Sequence, residues 1–188
     1  MYCATGNAGK LKEFQLAAKN SGIDLALAPG FSEIPECVED GATFAENAAL
    51  KARYYGRRVE GKLFADDSGL EVHALGGAPG VYSARFAGPG ATAESNNRLL
   101  LDKLHGMRDR KARFVCTIAL VENGGVLGLF EGAVEGIILD EPRGAGGFGY
   151  DPLFYYPPFG CTFGEASAEQ KLAVSHRGEA FSKMLASL

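Results

Sequence analysis

The sequence predicts an α/β fold, and three observations carry that prediction. Short β-rich runs alternate with stretches of helical periodicity from the N-terminus onward. The run Phe114 to Val121 is nearly continuous apolar and rich in β-formers, which marks a strand buried on both faces. The third is Leu63 to Gly69, Leu-Phe-Ala-Asp-Asp-Ser-Gly, where an apolar strand leads into two adjacent carboxylates. The carboxyl end of a strand is where open α/β sheets bind ligands. With 188 residues, 46% of them hydrophobic, the chain is long enough for one domain with a sizeable core of its own.

Taken in order, Tyr2 to Thr5 reads as a very short strand, followed by the loop Thr5-Gly6-Asn7-Ala8-Gly9-Lys10. A helix follows with Leu11, Phe14, Ala17 and Ala18 on one face, stopping at Asn20-Ser21-Gly22. A glycine-containing loop between strand and helix offers backbone N–H groups to an anion, and Lys10 adds a positive charge. The glycine spacing is not that of a Walker loop, so a plain β–turn–α connection stands beside the phosphate reading. Ile23 to Ala28 reads as a second strand, and Pro29 to Asp40 as an acidic loop carrying Glu33, Glu36, Glu39 and Asp40. Thr43-Phe44-Ala45-Glu46 is a capping box opening a helix that runs to about Gly56, with Asn47 and Lys51 on one face.

By themselves Asp66-Asp67-Ser68-Gly69 read as a strand ending in a turn, since all four are ordinary turn formers. If both aspartates stay extended they point to opposite faces, one toward a ligand and one toward the scaffold. Leu70 to Gly88 reads as an irregular loop too apolar to be a linker. Thr92 caps a helix ending near His105-Gly106. Asn123-Gly124-Gly125 joins the Phe114 strand to a second long β-type stretch, Val126 to Leu139, as a hairpin. In the final third, Gly146 to Pro152 sets Phe148 between glycines, where a ring can stack on a flat ligand. Ser167-Ala168-Glu169-Gln170 resembles another capping box, and Ser175-His176-Arg177-Gly178 opens the last helix. Two basic residues there oppose the helix dipole, which favours an anion or a polar planar ligand over a purely structural role.

Composition removes several classes of function. A net charge of -4 excludes a broad basic face for nucleic acid, but not a small anionic ligand met by locally concentrated cations. No apolar run reaches the length of a membrane span, and no signal peptide is visible, so the expected location is cytoplasmic. The scattered Cys3, Cys37, Cys116 and Cys161 suggest neither a zinc site nor a disulfide framework.

Six motifs now stand in order: Thr5 to Lys10, Phe44 to Ala52, Ala65 to Leu70, Gly76 to Gly80, Gly147 to Asp151 and Ser175 to Gly178. Together they closely resemble the inosine/xanthosine triphosphate pyrophosphatases, over nearly the whole chain. The resemblance implies one α/β domain over residues 1–188, built on a long mixed β-sheet flanked by helices, in two lobes with a central active-site cleft. It also implies a homodimer, a Mg2+ requirement, and hydrolysis of ITP, dITP or XTP to the monophosphate and pyrophosphate, clearing deaminated purines from the nucleotide pool. Asp67 matches the general base and metal ligand, and Glu39, two residues before Gly41, a second acidic metal ligand. Thr5, Gly6, Asn7, Ala8, Gly9 and Lys10 match the triphosphate loop, Lys51 a phosphate-reaching lysine, and Ser68 an adjoining contact. Phe148, Gly149, Tyr150, Asp151, Lys171, His176 and Arg177 match nucleotide-binding positions of the second lobe, and Asp66 is left open between joining the metal shell and supporting the loop from behind. Only four residues precede Thr5, where the family has a fuller first strand. The competing readings are a pyrophosphatase of relaxed base choice, or one for modified pyrimidines, and a nucleotide sensor that does not cleave.

Overall fold

The computed structural model describes all residues, Met1–Leu188. Seven strands form one mixed sheet in the order β2-β1-β3-β4-β5-β6-β7. These are β1 (Tyr2–Cys3), β2 (Ala26–Leu27), β3 (Lys62–Val72), β4 (Lys111–Glu122), β5 (Gly125–Ile138), β6 (Phe154–Tyr156) and β7 (Cys161–Thr162). The helices are α1 (Ala8–Asn20), α2 (Phe44–Gly56), α3 (Ala93–Lys103), α4 (Ala168–Val174) and α5 (His176–Leu185). β1 runs parallel to both β2 and β3, whereas β5, β6 and β7 pair antiparallel. The chain divides into two compact units. The first comprises Met1–Asp67, Cys116–Gly132 and Ser175–Leu188, and the second Ser68–Val115 and Ala133–Val174.

In the first unit α2 begins at the expected capping box, with Thr43 accepting from the Glu46 amide and the Glu46 side chain accepting from the Thr43 amide. Its inner face, Ala48, Ala52 and Tyr55, packs with Leu63 and Ala65 of β3 and Ala119 and Val121 of β4. On another face of β3, Phe64 meets Phe14 of α1 and Phe181 of α5 at centroid distances of 5.0 and 5.7 Å, and Phe14 and Phe181 meet at 5.9 Å. Small side chains beneath α2 and three rings beneath α1 and α5 therefore clamp β3 from both sides. In the second unit Leu70, Val72, Leu100, Leu104, Phe114, Ile138, Phe154 and Phe163 share one core. The expected hairpin is present, with β4 and β5 joined at Asn123-Gly124, both at positive φ (51° and 79°), as a tight two-residue hairpin requires.

Several boundaries differ from expectation. β1 and β2 are only two residues each, so Thr5 and Ile23 lie outside them. Asp66-Asp67-Ser68-Gly69 is not a turn. β3 runs unbroken through it for 11 residues, and the region expected as loop from Leu70 begins with three more strand residues. The pair therefore sits in mid-strand, beyond the end of the short parallel neighbour β1, where the Ala4 amide makes its bond to the Phe64 carbonyl at 2.9 Å. The low β-propensity of Asp, Ser and Gly is overridden because each aspartate finds buried partners on its own face.

Candidate active site

Mid-strand placement gives the two aspartates different environments. Asp67 points to the α2 face. Its Oδ1 accepts from Lys51 Nζ at 3.2 Å and its Oδ2 from Asn47 Nδ2 at 3.2 Å. Asn47 and Lys51 lie one helical turn apart on α2, so a single helix face supplies both donors. Lys51 Nζ also donates to Glu39 Oε2 at 2.8 Å, so two carboxylates converge on one ammonium. Asn47 reaches the acidic segment by a second route, since its Oδ1 accepts from the Gly41 amide at 2.9 Å. The Cys37 amide donates to the Tyr55 hydroxyl at 3.2 Å, which ties the same segment to the far end of α2.

Burial pushes the Asp67 carboxyl above the usual carboxylate range. Lys51 and Lys10 oppose that rise, while Asp66 and Glu39 add to it. Lys51 goes the other way: burial alone would lower it, but Asp67, Asp66 and Glu39 hold its ammonium above the usual lysine value. The result is a fixed cation beside a carboxylate that is unusually willing to take a proton.

Asp66 points to the opposite face, toward α1 and α5. Its Oδ2 pairs with Lys10 Nζ at 2.9 Å, and its side chain is 1% exposed. Burial pushes this carboxyl up, but Lys10, Arg177 and Lys51 more than offset it, so its pKa lies below the ordinary value. Arg177 Nη1 donates to Glu13 Oε2 at 2.8 Å. At the entrance to α1, Asn7 caps the helix, its Oδ1 accepting from the Gly9 and Lys10 amides at 2.9 and 3.1 Å, and the Thr5 hydroxyl accepts from the Asn7 amide at 3.2 Å. The loop expected to present amides to an anion thus holds two of them on the Asn7 carboxamide, an oxygen acceptor of the kind a phosphate would replace.

The second unit holds the other expected cluster. The Phe148 amide donates to Asp151 Oδ2 at 2.7 Å, and Lys171 Nζ donates to the same oxygen. That ammonium also lies 4.8 Å from the centre of the Phe148 ring. The Tyr150 hydroxyl donates to the Ser83 carbonyl at 2.8 Å, and burial pushes its phenol well up. Asn97 of α3 donates to the Gly149 carbonyl at 3.1 Å. α4 starts at the expected box, with Ser167 and Gln170 exchanging side-chain and amide bonds. Ser68, next to Asp67 in β3, is half-buried. His176 and Arg177, grouped with these residues by the sequence, belong instead to the first unit, because Ser175–Leu188 packs there. Ser175 caps α5 by accepting from the Gly178 amide, and the charges of Asp66 and Glu13 offset the placing of Arg177 at a helix start.

The sequence marks Asn47 only as sharing a face with Lys51 and does not single out Glu13, yet the structure brings both into these clusters. For Glu13 the available signal was its three-residue spacing from Lys10. Two glycines here allow direct tests. A Cβ at Gly41 would stand 2.7 Å from Asn47 Oδ1, so Gly41→Ala should push Asn47 off Asp67 and lower kcat by up to about 10²-fold. Steady-state rates beside an unchanged circular dichroism spectrum check this. Gly147 has φ +68°, and a Cβ there would stand 2.2 Å from Asp151 Oδ2. Gly147→Ala should therefore destabilise by about 1–3 kcal/mol, read as a fall in the urea midpoint.

The fold and the first unit's site define an α/β protein with a lysine-bracketed carboxylate standing beyond the end of a short parallel strand. The chain belongs to the Ham1 family, whose pattern it matches over residues 1–187. It is 48% identical to the dITP/XTP pyrophosphatase of Acidobacterium capsulatum, over 100% of this chain and 97% of that one. It is 48% identical to the dITP/XTP pyrophosphatase of Thermus thermophilus, over 97% and 88%. The Ham1 protein structure from Staphylococcus aureus superposes with a TM-score of 0.86 at 39% identity, covering 98% of this chain and 95% of that one. The HAM1 protein of Coxiella burnetii gives 0.86 at 41%, covering 97% and 94%.

Proposed function

We propose that this chain hydrolyses purine nucleoside triphosphates with deaminated bases, ITP, dITP and XTP, to the monophosphate and pyrophosphate. The observation that carries this reading is the convergence of Asp67 and Glu39 on Lys51 Nζ, with Asn47 steadying the second Asp67 oxygen. The relatives named dITP/XTP pyrophosphatase support the substrate class.

Asp67 is the general base. Its raised pKa gives it the driving force to take the proton of a water attacking the α-phosphorus. Lys51 holds the carboxylate in place and meets the negative charge that develops on the phosphoryl oxygens. The two carboxylates already share one cationic centre, and their hard oxygen donors suit Mg2+, which commonly takes one or two carboxylates beside substrate phosphates. Glu39 and Asp67 would hold it, and when bound it supplies neutralisation of the triphosphate. Thr5 to Lys10 would bind the triphosphate, with Lys10 and Lys171 balancing its charge and Ser68 adjoining. Phe148 would stack on the base, with Gly149, Tyr150 and Asp151 beside it, and His176 and Arg177 would judge the base edge. Hypoxanthine and xanthine present a 6-oxo acceptor where adenine presents a donor, so an arginine at that edge favours them over ATP. The same reading places the protein in the cytoplasm as a homodimer, which sedimentation of the purified chain would test.

The experiment is to offer purified protein and Mg2+ a panel of ITP, dITP, XTP, ATP, GTP and CTP and score pyrophosphate. Release from the first three at rates well above the others is expected. No release from any would refute the enzyme, and equal release from ATP would refute the base preference.

A further inference from the structure

We propose that Glu13 and Asp66 are positioning residues for the triphosphate loop, and that they place Lys10 through a buried chain of alternating charge, Lys10–Asp66–Arg177–Glu13. The inference rests on the reading of Thr5 to Lys10 as an anion-binding loop, and it adds Glu13 and Arg177 to the support that Asp66 gives.

The geometry carries it. Lys10 and Glu13 lie three residues apart on α1 and so share a face, while Asp66 comes from β3 and Arg177 from the first turn of α5. The end links are direct, Lys10 Nζ to Asp66 Oδ2 at 2.9 Å and Arg177 Nη1 to Glu13 Oε2 at 2.8 Å. The inner pair is deeply buried, with side chains 1% and 6% exposed, and each acts on the other's ionisation. The Phe14, Phe64 and Phe181 rings join the same three elements, so the charges are anchored by an apolar clamp. Two positive and two negative charges leave the cluster neutral. Glu13 takes part of the Arg177 charge, which leaves Asp66 available to Lys10. Removing the Glu13 charge commits Arg177 more fully to Asp66 and loosens Lys10, together with the first turn of α1 whose amides define the loop. Asp67 lies on the other face of β3 with its own direct donors, Asn47 and Lys51, so the larger response should be in substrate affinity.

Glu13→Gln tests this, because it keeps size and hydrogen bonding and deletes one charge. The probe is inorganic tripolyphosphate with Mg2+, titrated by calorimetry well below the melting temperature. It carries no base, so any change cannot come from base recognition by Arg177. The expected result is a Kd raised about tenfold, the scale of one charge-assisted contact, with a smaller proportional change in kcat on the best nucleotide. Glu13→Asp, which restores the charge, should recover most of the loss. An unchanged Kd in Glu13→Gln overturns the proposal, as does a wild-type protein that binds no tripolyphosphate. A merely structural Glu13 would lower the melting temperature and leave the Kd of the folded protein alone. Should no nucleotide be hydrolysed while Glu13→Gln still weakens tripolyphosphate binding, the proposed activity fails and this inference stands.

Discussion

Asp67→Asn is expected to lower turnover by about 10²–10⁴-fold, the range that a positioned general base contributes, and to leave the fold intact. Nucleotide binding should remain measurable, since Lys51, Lys10 and the loop are untouched. The stability effect has the opposite sign from most buried substitutions. A carboxyl whose pKa is higher folded than unfolded contributes its stability below the unfolded value of about 3.9 and loses it as pH rises through the folded pKa. Burial raises the Asp67 pKa, so at neutral pH the ionised side chain weighs against the fold. The asparagine removes that burden, and its melting temperature at pH 7 should equal or exceed that of wild type. In the wild-type enzyme the same raised pKa shapes the rate. kcat/KM should fall tenfold per pH unit on the acid side of the Asp67 pKa, with a midpoint above that of an ordinary aspartate. Thermal melts and a pH–rate profile check the two halves.

Asp66→Asn is expected to do the reverse: a large loss of stability, about 3–5 kcal/mol, the cost of removing one partner of a buried ion pair. Asp66 is 1% exposed, with Lys10 bonded to it, and Arg177 acts on the same carboxylate. The substitution removes the carboxylate charge that both cations act on. The sign again follows from the shift. A carboxyl whose folded pKa is depressed contributes stability above the unfolded value of about 3.9 and loses it as pH falls through the folded pKa. The gap between wild type and Asp66→Asn should therefore be widest near neutral pH and close on the acid side, below about pH 4. Urea melts across that range are the check, and a constant gap would remove Asp66 from the charged cluster. The adjacent aspartates are thus expected to separate by sign, one destabilising at neutral pH and the other stabilising.

How much of this was legible in the sequence differs from residue to residue. Thr43 and Glu46 announced α2 because a capping box is a local device, and Asn123-Gly124 announced the hairpin for the same reason. The opposite faces of Asp66 and Asp67 followed from strand alternation alone. The continuation of β3 through Ser68 and Gly69 was hidden, because what holds those residues extended is tertiary: Lys10 and Arg177 on one side, Asn47 and Lys51 on the other. Glu13 was hidden more deeply, since its partner Arg177 lies 164 residues away and no short-range spacing links them. The grouping of His176 and Arg177 with Phe148 and Asp151 came from the family resemblance rather than from spacing. Packing of Phe181 against Phe14 and Phe64 draws α5 into the first unit instead.

The most direct test of the central claim, water attack at the α-phosphorus with Asp67 as base, is hydrolysis of dITP in ¹⁸O-labelled water with both products weighed by mass spectrometry. The expected result is one label in the monophosphate and none in the pyrophosphate, with label incorporation lost in Asp67→Asn. Label in the pyrophosphate, orthophosphate as the first product, or undiminished labelling by Asp67→Asn would contradict it.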